Sequence, residues 1–139
     1  MEHINLVKKY NRSITEKNFT LMSSFLSDKI ITQIIDGINT TEETKVLKED
    51  FVNSIKKWLT NLDSFNQKNI DYKTISFDSK QVKISVSYIN EYYLNNEDLT
   101  ISGTFYYVID VNSNKITKML NIIKEKNGDE ELLERAYFK

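Results

Sequence analysis

The sequence contains no cysteine and no proline, one histidine and three glycines among its 139 residues. Without cysteine there is no disulfide framework and no thiolate nucleophile. The single histidine, His3, cannot supply a histidine-rich zinc site. No proline- or glycine-rich linker divides the chain. Because its length is that of one ordinary domain, we expect residues 1–139 to form a single domain.

The chain has no marked excess of charge of either sign and no long apolar run. Nineteen basic residues face twenty acidic ones, and neither sign gathers into a block of the kind that binds nucleic acid or anionic lipid. No stretch approaches the ~18 consecutive apolar residues of a membrane span. The first residues, MEHINLVKKYNRSITEKNFTLM, also lack the apolar run of a secretory signal. We therefore expect no nucleic-acid or membrane partner and a cytoplasmic location.

Hydrophobic residues make up 40% of the chain, enough for a folded core. Apolar residues recur at helical spacing from about residue 3 to 17, and again in FTLMSSFLS, with a break near Lys17 and Asn18. DKIITQIIDGIN is rich in β-branched residues and predicts a short strand that ends in a turn at Asp36 and Gly37. The segment NTTEETKVLKEDFVNSIKKWLTNLDSF, residues 39–65, predicts the longest helix, with an apolar stripe from Leu47 to Leu62.

From Ile70 onward the apolar period changes to two, in four successive segments separated by turn residues at 78–80, 95–98 and 112–114. This pattern predicts a four-stranded antiparallel meander. The tail GDEELLERAYF predicts a last helix. The order α-α-β-α-β-β-β-β, with a possible terminal α, indicates an α+β domain whose sheet is covered by helices on one face.

Two stretches carry a resemblance to a known family. INLVKKYNRSITEKNFTLMSSFLSD, residues 4–28, combines a helix, a polar break, a short helix and an aspartate, and TISGTFYYVIDVNSNKITKMLNII, residues 100–123, combines two strands around a turn. In this order they resemble the nuclear transport factor two-like superfamily, which includes ketosteroid isomerase and the SnoaL-like polyketide cyclases. The resemblance implies a cystatin-like cone, in which a curved mixed or antiparallel sheet wraps three N-terminal helices, and a cavity open at one end.

The resemblance also allows a comparison with the catalytic groups of ketosteroid isomerase, which are a carboxylate base, a tyrosine and a protonated acid. Tyr10 lies where the family's tyrosine lies, but Ile34 and Gly103 occupy the positions of the base and the second acid. A two-residue shift would make Asp36 the base, although Asp36 followed by Gly37 is better explained as a turn. His3 could act as a base, but a chain terminus is a poor place to hold one.

Side-chain alternation in the last two predicted strands gives two apolar faces. Met119, Asn121 and Ile123 point one way, and by the resemblance they face the cavity. The opposite face of the same strand carries Ile116, Lys118, Leu120 and Ile122. An apolar outer face needs a cover, and a second copy of the chain is the simplest one. We therefore expect a homodimer that pairs through the outer residues Tyr106, Val108, Leu120 and Ile122.

The inward set also contains the residues that could bind a ligand, although each also has an explanation as a plain core residue. These candidates are Tyr10, Trp58, Tyr88, Phe105, Tyr107, Met119 and Asn121. Aromatic rings with a few hydroxyl and amide groups are typical of a small-molecule pocket. The sequence thus favours a protein that binds a small hydrophobic or aromatic ligand, with no cofactor and no metal. A cofactor-independent isomerase, cyclase or lyase is the alternative, and an association domain with a filled cone is the second.

Overall fold

The structure, a computed structural model, describes residues 2–138. Its elements in chain order are α1 (Glu2–Thr15), α2 (Phe19–Ser24), β1 (Leu26–Asp36), β2 (Asn39–Thr40), β3 (Thr44–Leu47), α3 (Lys48–Asn61), β4 (Ser64–Phe77), β5 (Gln81–Leu94), β6 (Glu97–Asp110), β7 (Lys115–Gly128) and α4 (Leu132–Tyr137). Among the described residues no helix is long and apolar enough to cross a membrane.

The break between the first two helices is confirmed. α1 buries Val7, Tyr10 and Ile14 on one face, and the chain then turns at Lys17, whose φ of 56° ends the helix. Asn18 begins α2, because its side chain accepts a hydrogen bond from the backbone N–H of Leu21. This N-cap satisfies a backbone donor that the helix itself leaves unpaired.

The segment between the helices is more extended than the sequence predicted. β1 has 11 residues rather than a few, and Gly37, with a φ of 57°, makes the predicted turn into β2. Thr44–Leu47 forms a strand that pairs with Lys29–Thr32 of β1. The helix predicted over residues 39–65 is therefore confined to α3, whose 14 residues equal those of α1 rather than exceed them.

One sheet of seven strands holds the fold together, in the order β2-β1-β7-β6-β5-β4, with β3 also paired to β1. The predicted meander is confirmed, because β4, β5, β6 and β7 pair consecutively and antiparallel. β4 begins at Ser64, six residues before Ile70. β1 lies parallel to β7 and makes the sheet mixed. The sheet is curved, and the helices pack on one of its faces, so the predicted α+β architecture is confirmed.

The two faces of β5, β6 and β7 divide as predicted, with one correction. The inward residues of β5, from Val82 to Leu94 in steps of two, are buried, whereas Leu120 and Ile122 of β7 are half-buried on the opposite face. Ile116 was predicted to point outward, but it is fully buried in the core. A bulge at Thr117 explains this, since it shifts the pairing of β6 with β7 by one residue and reverses the side of Ile116.

Candidate functional site

A cavity of about 540 Å³ lies between the helices and the concave face of the sheet. We call it the central cavity. All seven residues singled out from the sequence line it, namely Tyr10, Trp58, Tyr88, Phe105, Tyr107, Met119 and Asn121. Helix α1 contributes Tyr10 and helix α3 contributes Trp58. The other five residues come from β5, β6 and β7, because the inward positions of these strands face the same side of the sheet. Ligand binding by these residues stays a prediction.

Aromatic rings form much of the wall. In the middle of the sheet the ring of Phe105 lies 4.6 Å from that of Tyr88 and 5.7 Å from that of Tyr107, measured between centroids. At the end of the cavity near α3, Trp58 packs against Phe65 and Tyr92. Rings in contact at such distances hold one another in place. The wall therefore offers a preformed surface to a flat apolar molecule.

The best-defined polar pair in the cavity joins β5 to β7. The Tyr88 hydroxyl donates a hydrogen bond of 2.6 Å to Oδ1 of Asn121. This bond orients the amide so that its Nδ2 is the group left to donate to another molecule. Burial raises the pKa of Tyr88 well above its ordinary value, and the hydrogen bond with Asn121 offsets this only in part. The hydroxyl is therefore protonated at neutral pH.

Gly103 lies beside this pair on β6, opposite Tyr88 in the register. A Cβ at this position would lie 2.3 Å from the carbonyl oxygen of Ile122 and 3.0 Å from the Tyr88 hydroxyl. Of the two explanations for a glycine inside a strand, a bend or a close approach, the structure shows the close approach. A side chain at Gly103 would thus collide with the backbone of Ile122 and crowd the Tyr88 hydroxyl.

A second polar group connects α1 to the sheet. The Tyr107 hydroxyl donates to Oδ1 of Asn11 over 3.3 Å, and the Tyr10 hydroxyl donates to the sulfur of Met119 over 3.6 Å. Sulfur is a weak acceptor, so the Tyr10 hydroxyl retains most of its capacity to donate. Burial raises the pKa values of Tyr10 and Tyr107 well above the ordinary value. Both hydroxyls are donors rather than bases.

A third polar group lies between Tyr88 and Tyr92 on the inward face of β5. Asn90 is only 5% exposed, and its Nδ2 donates to the Tyr92 hydroxyl over 3.1 Å. Burial raises the pKa of Tyr92 to about 12. Within residues 2–138 the Oδ1 of Asn90 has no hydrogen-bond partner. Such a buried unpaired acceptor is uncommon in folded proteins.

Acidic and basic side chains lie elsewhere. The residues that line the central cavity, among those the structure describes, include no Asp, Glu, His, Lys or Arg. Asp36 ends β1 at the turn and accepts a hydrogen bond of 2.6 Å from Lys126, while the ring of His3 lies against Phe77, outside the cavity. In the described part of the chain no three His, Asp or Glu side chains are grouped closely enough to hold a metal ion.

Five lining residues that matter to the site were not singled out from the sequence: Asn11, Phe65, Gln67, Asn90 and Tyr92. Alternation could have found Asn90 and Tyr92, because both continue the inward series of Tyr88. Phe65 and Gln67 were not predicted to line the cavity because β4 begins at Ser64, before the predicted start at Ile70. Asn11 follows Tyr10 directly in α1, and helical periodicity does not place two consecutive residues on one narrow face.

Neither a protein-family model nor a curated protein matches the sequence. Solved structures do match the fold. The Kfla4162 protein from Kribbella flavida superimposes with a TM-score of 0.82 at 12% identity, over 96% of this chain and 95% of that one. The hexachlorocyclohexane dehydrochlorinase LinA type 2 gives 0.69 at 12% identity over 89% and 84%. The epoxide hydrolase/cyclase-like enzyme SalBIII, which has a role in pyran ring formation in salinomycin, gives 0.68 at 13% over 92% and 96%.

These similarities confirm the fold that the sequence predicted, an α+β cone in which a curved mixed sheet wraps the helices. Identities of 12–13% carry no information about activity, because this fold, like other widely used folds, supports unrelated functions.

Proposed function

We propose that the protein binds one small, uncharged and mostly apolar molecule in the central cavity. The observation that carries this proposal is the unfilled volume of about 540 Å³, which lies within the usual range of about 300–1,000 Å³ for ligand sites. The same volume argues against the filled cone required by a pure association domain. A ring-bearing ligand would replace water against the aromatic wall and gain free energy in proportion to the apolar area buried.

The polar groups of the cavity define the ligand further. A charged ligand would lose its hydration without finding an opposite charge among the described lining residues, which is costly. A neutral carbonyl group, by contrast, could accept a hydrogen bond from Nδ2 of Asn121, whose orientation is set by Tyr88. The ligand therefore has an apolar ring system and a few neutral polar groups.

Calorimetric titration with benzophenone, a neutral ketone with two rings, tests the proposal. Ile123 lines the cavity, so Ile123→Trp should fill part of it and abolish binding. Ile70→Trp is the matched control, because Ile70 on β4 is 64% exposed, and it should bind like the wild type. If neither benzophenone nor any ligand of a broad panel of neutral aromatic molecules shows saturable binding that Ile123→Trp removes, the proposal is wrong.

A second candidate is a cofactor-independent enzyme of the isomerase, cyclase or lyase kind. It is favoured by Nδ2 of Asn121, a hydrogen-bond donor that Tyr88 holds in place and that could stabilise a developing oxyanion. Since the described lining residues include no carboxylate or imidazole, the reaction would use a nucleophile of the substrate itself. In an epoxy alcohol, the hydroxyl oxygen forms a bond to an epoxide carbon, the epoxide C–O bond breaks, and the proton passes to the released oxygen.

The enzymatic candidate is tested by following the ring closure of a neutral epoxy alcohol by proton nuclear magnetic resonance. The wild type should accelerate it over buffer, and Asn121→Leu should lose most of the acceleration. If the rate with protein equals the rate in buffer for substrates that bind, the candidate is rejected and binding alone remains.

The predicted homodimer belongs to the same proposal. Tyr106 and Leu120 are neighbours across β6 and β7, and like Val108 and Ile122 they are half-buried. Pairing through these residues would bury apolar area that a single chain leaves in water. A cytoplasmic location, expected from the sequence, also stays a prediction, which cell fractionation tests.

A further inference from the structure

The end of the central cavity near α3 has a geometry of its own. The centroid of the Trp58 ring lies 5.9 Å from that of Phe65 and 5.7 Å from that of Tyr92, and Phe65 and Tyr92 are 5.2 Å apart. All three rings line the cavity. Their tilted and edge-to-face contacts make them one continuous wall rather than a cage with an empty centre. A wall of this kind accepts one further ring by stacking.

Asn90 lies at this wall, and its amide is only half satisfied. Its Nδ2 donates to the hydroxyl of Tyr92, and this bond leaves Oδ1 as the group without a partner among residues 2–138. Asn90 lines the cavity, although Oδ1 is itself shielded from solvent. The terminal torsion of an asparagine is soft, so the amide can rotate to offer Oδ1 to a molecule in the cavity, at the expense of the bond from Nδ2 to Tyr92. The fold thus keeps a costly unpaired acceptor beside an aromatic wall.

The missing partner must meet three conditions. It must donate a hydrogen bond, because Oδ1 is an acceptor. It must be uncharged, because the described lining residues carry no charge to compensate it. It must also belong to a flat ring, because the surface next to Asn90 consists of Trp58, Phe65 and Tyr92. A phenol meets all three conditions, whereas a carboxylate fails the second and an aryl ether fails the first.

We propose that this end of the cavity is a subsite for a phenol ring, which stacks on the wall formed by Trp58, Phe65 and Tyr92 and donates its hydroxyl hydrogen to Oδ1 of Asn90. The inference rests on the proposed function and names the chemical class of its ligand. Selection for a hydroxyl follows because the analogue without it leaves the buried acceptor unpaired.

Three probes with the same apolar frame test the subsite, namely para-tert-butylphenol, para-tert-butylanisole and para-tert-butylbenzoate. Calorimetry measures their affinities, and Trp58, the only tryptophan of the chain, reports by its fluorescence whether they bind at this end. We expect the wild type to bind the phenol about tenfold more tightly than the anisole, the effect of one buried hydrogen bond, and to bind the benzoate most weakly. Binding of the phenol should change the Trp58 emission.

Asn90→Leu should remove the preference for the phenol and bring the two affinities to within about twofold. Asn66→Leu is the matched control, because Asn66 is an exposed amide on β4, and it should keep the preference. If Asn90→Leu does not fold, Asn90→Val serves instead, because valine also lacks an acceptor, and the comparison of phenol with anisole in the wild type needs neither variant.

The outcomes separate the two claims. Equal affinity of the wild type for phenol and anisole, or a preference for the phenol that survives in Asn90→Leu, would overturn the subsite and leave ligand binding intact. Phenol binding without a change in Trp58 emission would also overturn the subsite. If none of the three probes binds, the subsite is wrong. The benzophenone titration then decides the proposed function separately.

Discussion

The hydroxyl of Tyr88 lies 2.6 Å from Oδ1 of Asn121, and this distance joins two strands that are not neighbours, since β6 runs between β5 and β7. The hydroxyl crosses above Gly103 of the intervening strand, where a side chain would crowd it and collide with the Ile122 carbonyl. One hydrogen bond thus depends on three strands. It also fixes which end of the Asn121 amide is offered to the cavity.

Tyr88→Phe tests the orienting role of this bond. Without the hydroxyl, the Asn121 amide can turn, and we expect benzophenone to bind several-fold more weakly, with a loss of about 1 kcal/mol in the free energy of unfolding. Calorimetry gives the affinity, and urea denaturation gives the stability. Tyr93→Phe is the control, because Tyr93 is exposed on the same strand. Unchanged affinity in Tyr88→Phe would show that the pair does not orient a ligand.

Gly103→Ala should destabilise the protein through a collision with backbone. The new Cβ would lie 2.3 Å from the carbonyl oxygen of Ile122, and neither strand can move without disturbing the pairing of β6 with β7. We expect a loss of about 1–3 kcal/mol, together with weaker benzophenone binding because Tyr88 is displaced. Urea denaturation and calorimetry measure both effects.

Gly37→Ala provides the comparison for that substitution. Its Cβ would meet no atom within 4 Å, but its φ of 57° strains any other residue, so we expect a loss of about 1 kcal/mol with unchanged binding. If Gly103→Ala proves no more harmful to binding than Gly37→Ala, the placing of Tyr88 by Gly103 is refuted.

The sequence was most informative where side-chain alternation operates. Tyr88, Phe105, Tyr107 and Asn121 could be placed on one face because a strand has a period of two and pairs with its neighbour in a hairpin. The cavity wall followed from that period and from the resemblance. Nothing local revealed the bulge at Thr117, because a bulge depends on the partner strand as well as on its own sequence. Ile116 was misplaced for that reason.

Two further features could not be predicted from the sequence because they depend on residues that are distant along the chain. Thr44–Leu47 is a strand only because Lys29–Thr32 lies beside it, and its four residues are too few to show a period. The unpaired oxygen of Asn90 is likewise a property of the packed structure. A sequence can place an asparagine on an inward face, but the hydrogen bonds of its two amide groups depend on neighbours that only the fold brings together.

Leu120→Lys should dissociate the proposed homodimer. Leu120 lies beside Tyr106 on the outer face, and a charge there would have to be buried between two copies. Sedimentation equilibrium should show a dimer for the wild type and a monomer for the variant at micromolar concentration. Ile75→Lys is the matched control, since Ile75 on the edge strand β4 is 53% exposed, and it should remain dimeric. A wild type that sediments as a monomer would contradict the interface.

Binding of a ligand that does not ionise should be independent of pH from about pH 6 to about pH 9. The titratable groups among the described lining residues are tyrosines, whose pKa in the absence of perturbation is about 10. Burial raises the pKa of Tyr10, Tyr88 and Tyr107, and it raises that of Tyr92 to about 12. Because a raised pKa keeps each hydroxyl protonated below it, all four remain hydrogen-bond donors throughout this window.

Calorimetric titration with benzophenone at several pH values measures this independence. Constant affinity with no proton uptake is the expected result, since neither the ligand nor the wall changes its protonation state. Among the described residues, Asp36 is the one acid whose charge contributes to the raised pKa of a cavity tyrosine, Tyr88. Its carboxylate, however, forms an ion pair with Lys126. A change of affinity within the window that disappears in Asp36→Asn would show that this carboxylate reaches the ligand. That result would favour the enzymatic candidate, because it would supply the base that the cavity wall lacks.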